Sequence, residues 1–167
     1  MPEFEYVVPV NNPLKVSEDS VFSMADLFKC LKSWFDRNGY LFYEKEYLDK
    51  VKETGKQASV KWAPEKKVDD YVKLHIDIRI KFNNLRDVEG RHGLMNKGNV
   101  SVKFESFIEK DYEDRWENNF LQKFMRSMYD YFVLRDKLDT DKEQLKEDTY
   151  AAFNEVKAFL GLHRFKE

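Results

Sequence analysis

One histidine and two carboxylates form the most plausible chemical constellation of this chain. His75 and Asp77 stand two residues apart, and Glu105 lies in a later segment of similar pattern. Imidazole and carboxylate groups act as general acids and bases and as metal ligands, so their convergence would define a site. Opposite-charge pairs between neighbouring strands, each worth about 0.2–1 kcal/mol, explain the same residues without any function. We favour this structural interpretation and keep an enzyme built on the three residues as an alternative.

Other signatures of catalysis or metal binding are missing from the sequence. Cys30, the only cysteine, has no histidine near it in the sequence, and His75, His92 and His163 do not have the spacing of metal ligands. Neither a Gly-x-Ser-x-Gly motif nor a phosphate-binding Gly-x-x-x-x-Gly-Lys-Ser/Thr motif occurs. We therefore expect no catalytic residue, no metal and no cofactor.

A basic, glycine-bearing segment at residues 90–99 is a second candidate site. It holds three of the six glycines and two apolar residues, Leu94 and Met95. A flexible basic loop could close over an anionic ligand or contact a partner. The alternative, which we favour, is a long hairpin connection whose two apolar residues lie in the core. The basic residues in and around this segment are Arg86, Arg91, His92, Lys97 and Lys103.

A long strand must position the first of these sites. From Tyr71 to Phe82 polar and apolar residues alternate without a break. Successive side chains of a strand point to opposite faces, so the pattern predicts one buried face and one solvent-exposed face. Strands of this kind are typical of antiparallel sheets. The solvent-exposed row contains His75, Asp77 and Arg79. The candidate binding residues are therefore His75, Asp77, Arg79, Arg86, Arg91, His92, Lys97, Lys103 and Glu105.

The remaining pattern predicts the order β-α-β-β-β-β-α-α. Turns rather than crossover helices separate most strands, which favours antiparallel pairing. We expect a single α+β domain over residues 1–167, with an antiparallel sheet of about five strands covered on one face by helices. The first helix begins at Ser23 and ends at Asn38 and Gly39, and the second begins near Tyr112. The third begins at a capping box at Thr140, with Gly161 as its stop. The apolar stripe of the second helix is Trp116, Phe120, Leu121, Phe124, Met125, Met128 and Phe132.

This layout resembles the helix-grip domains, such as the START and Bet v 1-like group, in which a sheet and helix enclose apolar ligands. The resemblance is one of architecture and rests on no motif, and the paired terminal helices depart from the usual order of that group. It implies a pocket for a hydrophobic small molecule. Trp34, Trp62 and Trp116 could line such a pocket, although packing in the core is the interpretation we favour.

Composition limits the classes of partner. The chain is 42% hydrophobic and 36% charged, and no stretch approaches the roughly 20 continuous apolar residues of a membrane span. A net charge of −2 disfavours nucleic acid, and a single cysteine favours a cytoplasmic location. We expect a non-enzymatic binding or protein-interaction module, whose partner is a protein or a small apolar or anionic ligand. A homo-oligomer is left open, and no membrane contact is expected.

Overall fold

A computed structural model describes residues 2–90, 93–112 and 120–163. Within these ranges the chain forms an antiparallel sheet and three helices, so the predicted α+β class is confirmed. The sheet has seven strands rather than about five. The elements in chain order are β1 (Glu3–Val8), β2 (Leu14–Phe22), α1 (Met24–Arg37), β3 (Glu44–Lys52), β4 (Gly55–Trp62), β5 (Glu65–Lys67), β6 (Val72–Gly90), β7 (Gly93–Lys110), α2 (Phe120–Phe132) and α3 (Arg135–His163).

A long hairpin of β6 and β7 forms the centre of the sheet. On the β6 side, β4 pairs with the middle of β6, from Ile78 to Leu85, and β3 pairs with β4. The short β5 pairs with the start of β6. On the β7 side, β1 and β2 pair one after the other along the same edge. The sequence did not predict β2 or β5, and residues 93–99, expected to be irregular, are the first part of β7.

The apolar row of the predicted long strand is buried against α1 and α3. The six side chains are Val72, Leu74, Ile76, Ile78, Ile80 and Phe82, and all are almost inaccessible to solvent. Helix α1 has the predicted ends: the Ser23 side chain accepts a hydrogen bond from the Asp26 backbone N–H at 3.2 Å, and Gly39 has a φ of 77°. Phe28 of α1 contacts Trp62 of β4, with ring centroids 4.9 Å apart. Trp34 and Trp62 are therefore core residues.

Helix α3 is longer than predicted at both ends. It begins at Arg135, and the Thr140 hydroxyl donates a hydrogen bond to the Asp136 carbonyl inside the helix, so Thr140 is not its cap. Gly161 lies within the helix and does not stop it. The buried face of α3 includes Leu145, Thr149, Ala152 and Val156, which are inaccessible to solvent. Despite this length, none of the helices in the described ranges has the apolar character that crossing a membrane requires.

A buried hydrogen bond joins the end of α1 to α3. The Tyr40 hydroxyl donates to Asp148 Oδ2 at 2.7 Å, and Gln144 Nε2 donates to Asp148 Oδ1 at 2.9 Å. Burial, and then the negative charge of Asp148 and its hydrogen bond, raise the pKa of Tyr40 well above its ordinary value. The phenol is therefore neutral and acts as a donor that fixes α3 against the core.

Helix α2 does not cover the sheet, contrary to the sequence-based expectation. Its apolar stripe points to solvent, because Arg126, on the opposite side, is the one buried residue among the described side chains of α2. Helical periodicity identifies an apolar stripe but not what covers it. The exposed members are Leu121, Phe124, Met125, Met128 and Phe132; the side chain of Phe120 and all of Trp116 lie outside the described residues.

Candidate functional site

The sheet face opposite the helices, here called the open face, carries the polar rows of the central strands. It presents the odd-numbered residues of β6 from Lys73 to Lys81 and of β7 from Ser101 to Glu109. No element of the described residues packs over it, and most of these side chains are half-buried or exposed. Because neighbouring strands lie about 4.8 Å apart, residues in register form short transverse rows across the face.

Four cationic residues lie in register across four adjacent strands. Lys15 of β2 is opposite Lys103 of β7, Lys103 is opposite Arg79 of β6, and Arg79 is opposite Lys61 of β4. At the usual strand spacing this cation row spans about 14 Å. Arg79 and Lys103 were candidates from the sequence. Lys15 and Lys61 were missed, because β2 was not predicted and the strand register was unknown.

The cation row is only weakly neutralised by its neighbours. Lys61 Nζ lies 3.9 Å from Asp77 Oδ2, the one ion pair that the described residues make to the row. No carboxylate in the described part of the chain lies within ion-pair distance of Lys15, Arg79 or Lys103. Lys15 and Arg79 are exposed and Lys103 is half-buried. The row therefore presents positive charge to solvent rather than to internal partners.

The structure brings two of the three predicted acid–base residues together. Asp77 of β6 is directly opposite Glu105 of β7, forming an acidic pair in the row next to the cations. His75 shares their face but is only 9% exposed, because its ring stacks on Phe107 with centroids 4.7 Å apart. Its Nε2 atom contacts Glu109 Oε2 at 2.7 Å. The carboxylate bound to His75 is thus Glu109, which the sequence had not identified as a candidate, and not Glu105.

A second carboxylate approaches His75 from β5. Glu65 Oε2 lies 4.0 Å from His75 Nδ1, and Lys73 Nζ lies 3.5 Å from Glu65 Oε1. Glu109 and Glu65 thus flank the buried imidazole, and Lys73 in turn contacts Glu65, so the ring lies within a local polar network. Across the described ranges, no group of three or more histidine, cysteine or acidic residues is arranged to hold a metal ion.

Aromatic side chains form one corner of the open face beside His75. The Phe107 ring contacts Phe4 and Tyr6 of β1, each with centroids 5.5 Å apart. Phe4 and Tyr6 are more than half exposed. Along the strands, the open face therefore carries an aromatic corner, then the acidic pair, then the cation row.

The other candidate residues lie on the far part of the central hairpin. Arg86 is opposite Lys97, beyond an irregularity in the register between Asn83 and Arg86. This segment is strand rather than a flexible loop; Leu94 is exposed and Met95 half-buried, so these residues are not core either. Arg91 and His92 lie outside the described residues.

The far part of the hairpin is also tied to helix α1. Asn96 Oδ1 accepts a hydrogen bond from the Met24 backbone N–H at 3.1 Å, while its Nδ2 donates to Asp87 Oδ1 at 3.0 Å. Asn96 therefore serves as a structural link between β7 and the start of α1.

No protein-family model matches this chain, and no curated protein matches it either. Fold and site together define an α+β protein in which the described elements leave a charge-striped sheet face uncovered.

Proposed function

We propose that this protein is a non-enzymatic binding module that docks an acidic segment of a partner protein on the open face. The cation row is the observation that carries this proposal. Its members form three successive like-charge pairs, and like charges directly opposite each other destabilise a sheet. An anionic ligand lying across the strands would offset that repulsion, which gives the arrangement a functional explanation.

The neighbouring stripes favour a protein segment over nucleic acid. Asp77 and Glu105 lie two residues along their strands from Arg79 and Lys103, about 7 Å away. A polynucleotide backbone carries only negative charge, so it would be repelled there. A protein segment can place acidic residues on the cation row, a basic residue on the acidic pair and an apolar residue at Phe4 and Tyr6. The net charge of −2 also disfavours general affinity for polyanions.

The two alternatives have weaker support. An apolar pocket would need aromatic residues that are free to line it, whereas Trp62 already contacts Phe28 and Phe42 at centroid distances of 4.9 and 4.7 Å. An enzyme of the expected type would need His75 beside Asp77 and Glu105, but His75 contacts Glu109. With Cys30 as its only cysteine, we place the proposed module in the cytoplasm.

Fluorescence anisotropy with a labelled oligoglutamate peptide at low ionic strength tests the proposal. We expect saturable binding that weakens with added salt, because exposed charges are screened. Arg79→Glu and Lys103→Glu should each weaken binding by about tenfold or more, equivalent to about 1.4 kcal/mol. The matched control is Lys29→Glu, which makes the same change in net charge at an exposed position of α1 and should have little effect.

Three outcomes would overturn the proposal. One is the absence of binding at low ionic strength. Another is an equal loss of affinity in Lys29→Glu, which would indicate attraction by net charge alone. The third is tighter binding of single-stranded oligothymidylate that is lost in Arg79→Glu, which would assign the open face to nucleic acid.

A further inference from the structure

The exposed stripe of α2 is a contiguous apolar feature of the described surface. Its five members, Leu121, Phe124, Met125, Met128 and Phe132, are between 44% and 71% exposed, and their spacing places them on one side of the helix. Tyr129 and Tyr131 flank the stripe and are 41% and 60% exposed. Contiguous apolar surface of this kind on a folded chain marks an interaction site.

An ionic network around the buried Arg126 holds this stripe outward. Arg126 lies on the opposite side of α2, where its Nη1 is 3.3 Å from Asp111 Oδ2 and its Nη2 is 3.4 Å from Glu3 Oε2. Its Nε also donates a hydrogen bond to the Tyr71 hydroxyl at 3.2 Å. Because a buried guanidinium is stable only with such partners, rotating α2 to bury the stripe would break the network. The orientation of α2 is therefore fixed by its polar side.

The stripe and its two flanking tyrosines together present about the area of one half of a stable interface. With about 200 Å² for each large side chain, the seven residues offer on the order of 800 Å² at their observed exposures. A standard protein–protein interface buries about 800 Å² per partner. Phenylalanine and methionine dominate the stripe and tyrosines flank it, and these three types are enriched in the cores of interfaces.

We propose that α2 is a self-association surface, on which two copies of this chain pair their stripes antiparallel about a two-fold axis. A two-fold interface uses the same patch on both copies. Apolar residues spaced three and four positions apart on one helix can interdigitate with the equivalent residues of the second copy. The stripe contains no charged residue, so the pairing of two stripes does not bring like charges together.

A lipid surface fits the same helix less well. Helices that lie on membranes carry lysine and arginine on the polar face, where they contact anionic headgroups. In α2 the arginine is buried against Asp111 and Glu3, which leaves Lys123 as the only exposed cation of the helix. The apolar area of the stripe region and the charges of α2 therefore both favour a second copy of this chain as the partner.

Sedimentation across the micromolar range tests the proposal. The wild-type chain should dimerise with rising concentration. Phe124→Glu should sediment as a monomer while keeping the wild-type circular dichroism spectrum, because Phe124 is exposed in the single chain. Leu94→Glu adds the same charge at an exposed apolar residue of β7 and should remain dimeric.

Cysteine crosslinking locates the interface independently. In a Cys30→Ser background, Met125→Cys or Met128→Cys should form a covalent dimer on oxidation, because stripe residues near the two-fold axis meet their own copies. Lys123→Cys, on the other side of α2, should not form one. A wild-type chain that stays monomeric throughout the range overturns the proposal, whether or not it binds vesicles. A dimer that survives Phe124→Glu, or that crosslinks through Lys123→Cys alone, overturns it as well.

Discussion

Arg79 on β6 lies directly opposite Lys103 on β7, and no carboxylate in the described residues is within ion-pair distance of either side chain. Lys15 and Lys61 extend this like-charge contact to the strands on either side. A sheet selected for stability alone would alternate charges at these positions, because opposite-charge pairs stabilise neighbouring strands. Departures from local stability rules concentrate where a surface has a function.

Reversing one charge of the row should stabilise the protein. Arg79→Glu replaces two like-charge contacts, with Lys103 and Lys61, by two opposite-charge contacts. We expect the free energy of unfolding to rise by about 0.5–1 kcal/mol at low salt and the gain to shrink at high salt. Urea denaturation of Arg79→Glu beside Lys29→Glu measures this difference. A loss of stability at low salt would show that the row is not a site of repulsion.

The two faces of β6 should respond differently to substitution. Ile78 is fully buried, so Ile78→Lys places an unpaired charge in the core and should prevent folding or cost several kcal/mol. Asp77 lies on the open face, and Asp77→Ala should leave the free energy of unfolding nearly unchanged, because its contact with Lys61 is long at 3.9 Å. Equal losses in thermal melts of the two variants would contradict the assignment of faces.

The Tyr40–Asp148 hydrogen bond should make stability depend on alkaline pH. Since the pKa of Tyr40 is raised in the folded chain, the unfolded chain releases this proton first, near its ordinary pKa of about 10. The contribution of this hydrogen bond to the free energy of unfolding is therefore fully present below pH 10 and decreases as the pH rises above 10. Tyr40→Phe should lower the free energy of unfolding by about 1.5–3 kcal/mol at neutral pH. Its free energy of unfolding should also decrease less steeply with pH above 10 than that of the wild-type chain. Parallel slopes for the two proteins would argue against the buried pair.

Arg126 should be essential for docking α2. Arg126→Met removes the guanidinium beside the buried Asp111 carboxylate, and breaking such a buried pair costs about 3–5 kcal/mol. Hydrogen exchange of the α2 amides should accelerate more than that of β6. Lys123→Met, at an exposed position of the same helix, is the matched control and should leave both rates unchanged.

Local patterns were enough to predict the centre of the fold. The alternation from Tyr71 to Phe82 correctly identified the buried row of β6, and Ser23 and Gly39 correctly marked the ends of α1. Both signals act over a few residues, through the pleat of a strand or the hydrogen bonds of a helix end. Strand β2 was missed because polar Glu18 and Ser20 interrupt the inward-facing row that a strand pattern requires.

The candidate site depended on information that the sequence does not display. Which residue lies opposite Arg79 is decided by register between strands, and the two missed members of the cation row follow from that register. Glu109 was overlooked as the partner of His75 for the same reason. The stripe of α2 shows a related limit. An amphipathic pattern indicates that one side of a helix is buried, but it does not show whether the same chain or another chain packs against that side.

Nuclear magnetic resonance titration with oligoglutamate tests the central claim most directly, because it reports where the peptide binds. The amide shifts that change at low ionic strength should cluster at Lys15, Lys61, Arg79 and Lys103, and should decrease together as salt is added. Changes confined to β3 or α1, or no saturable change at all, would contradict the assignment of the open face as the docking surface.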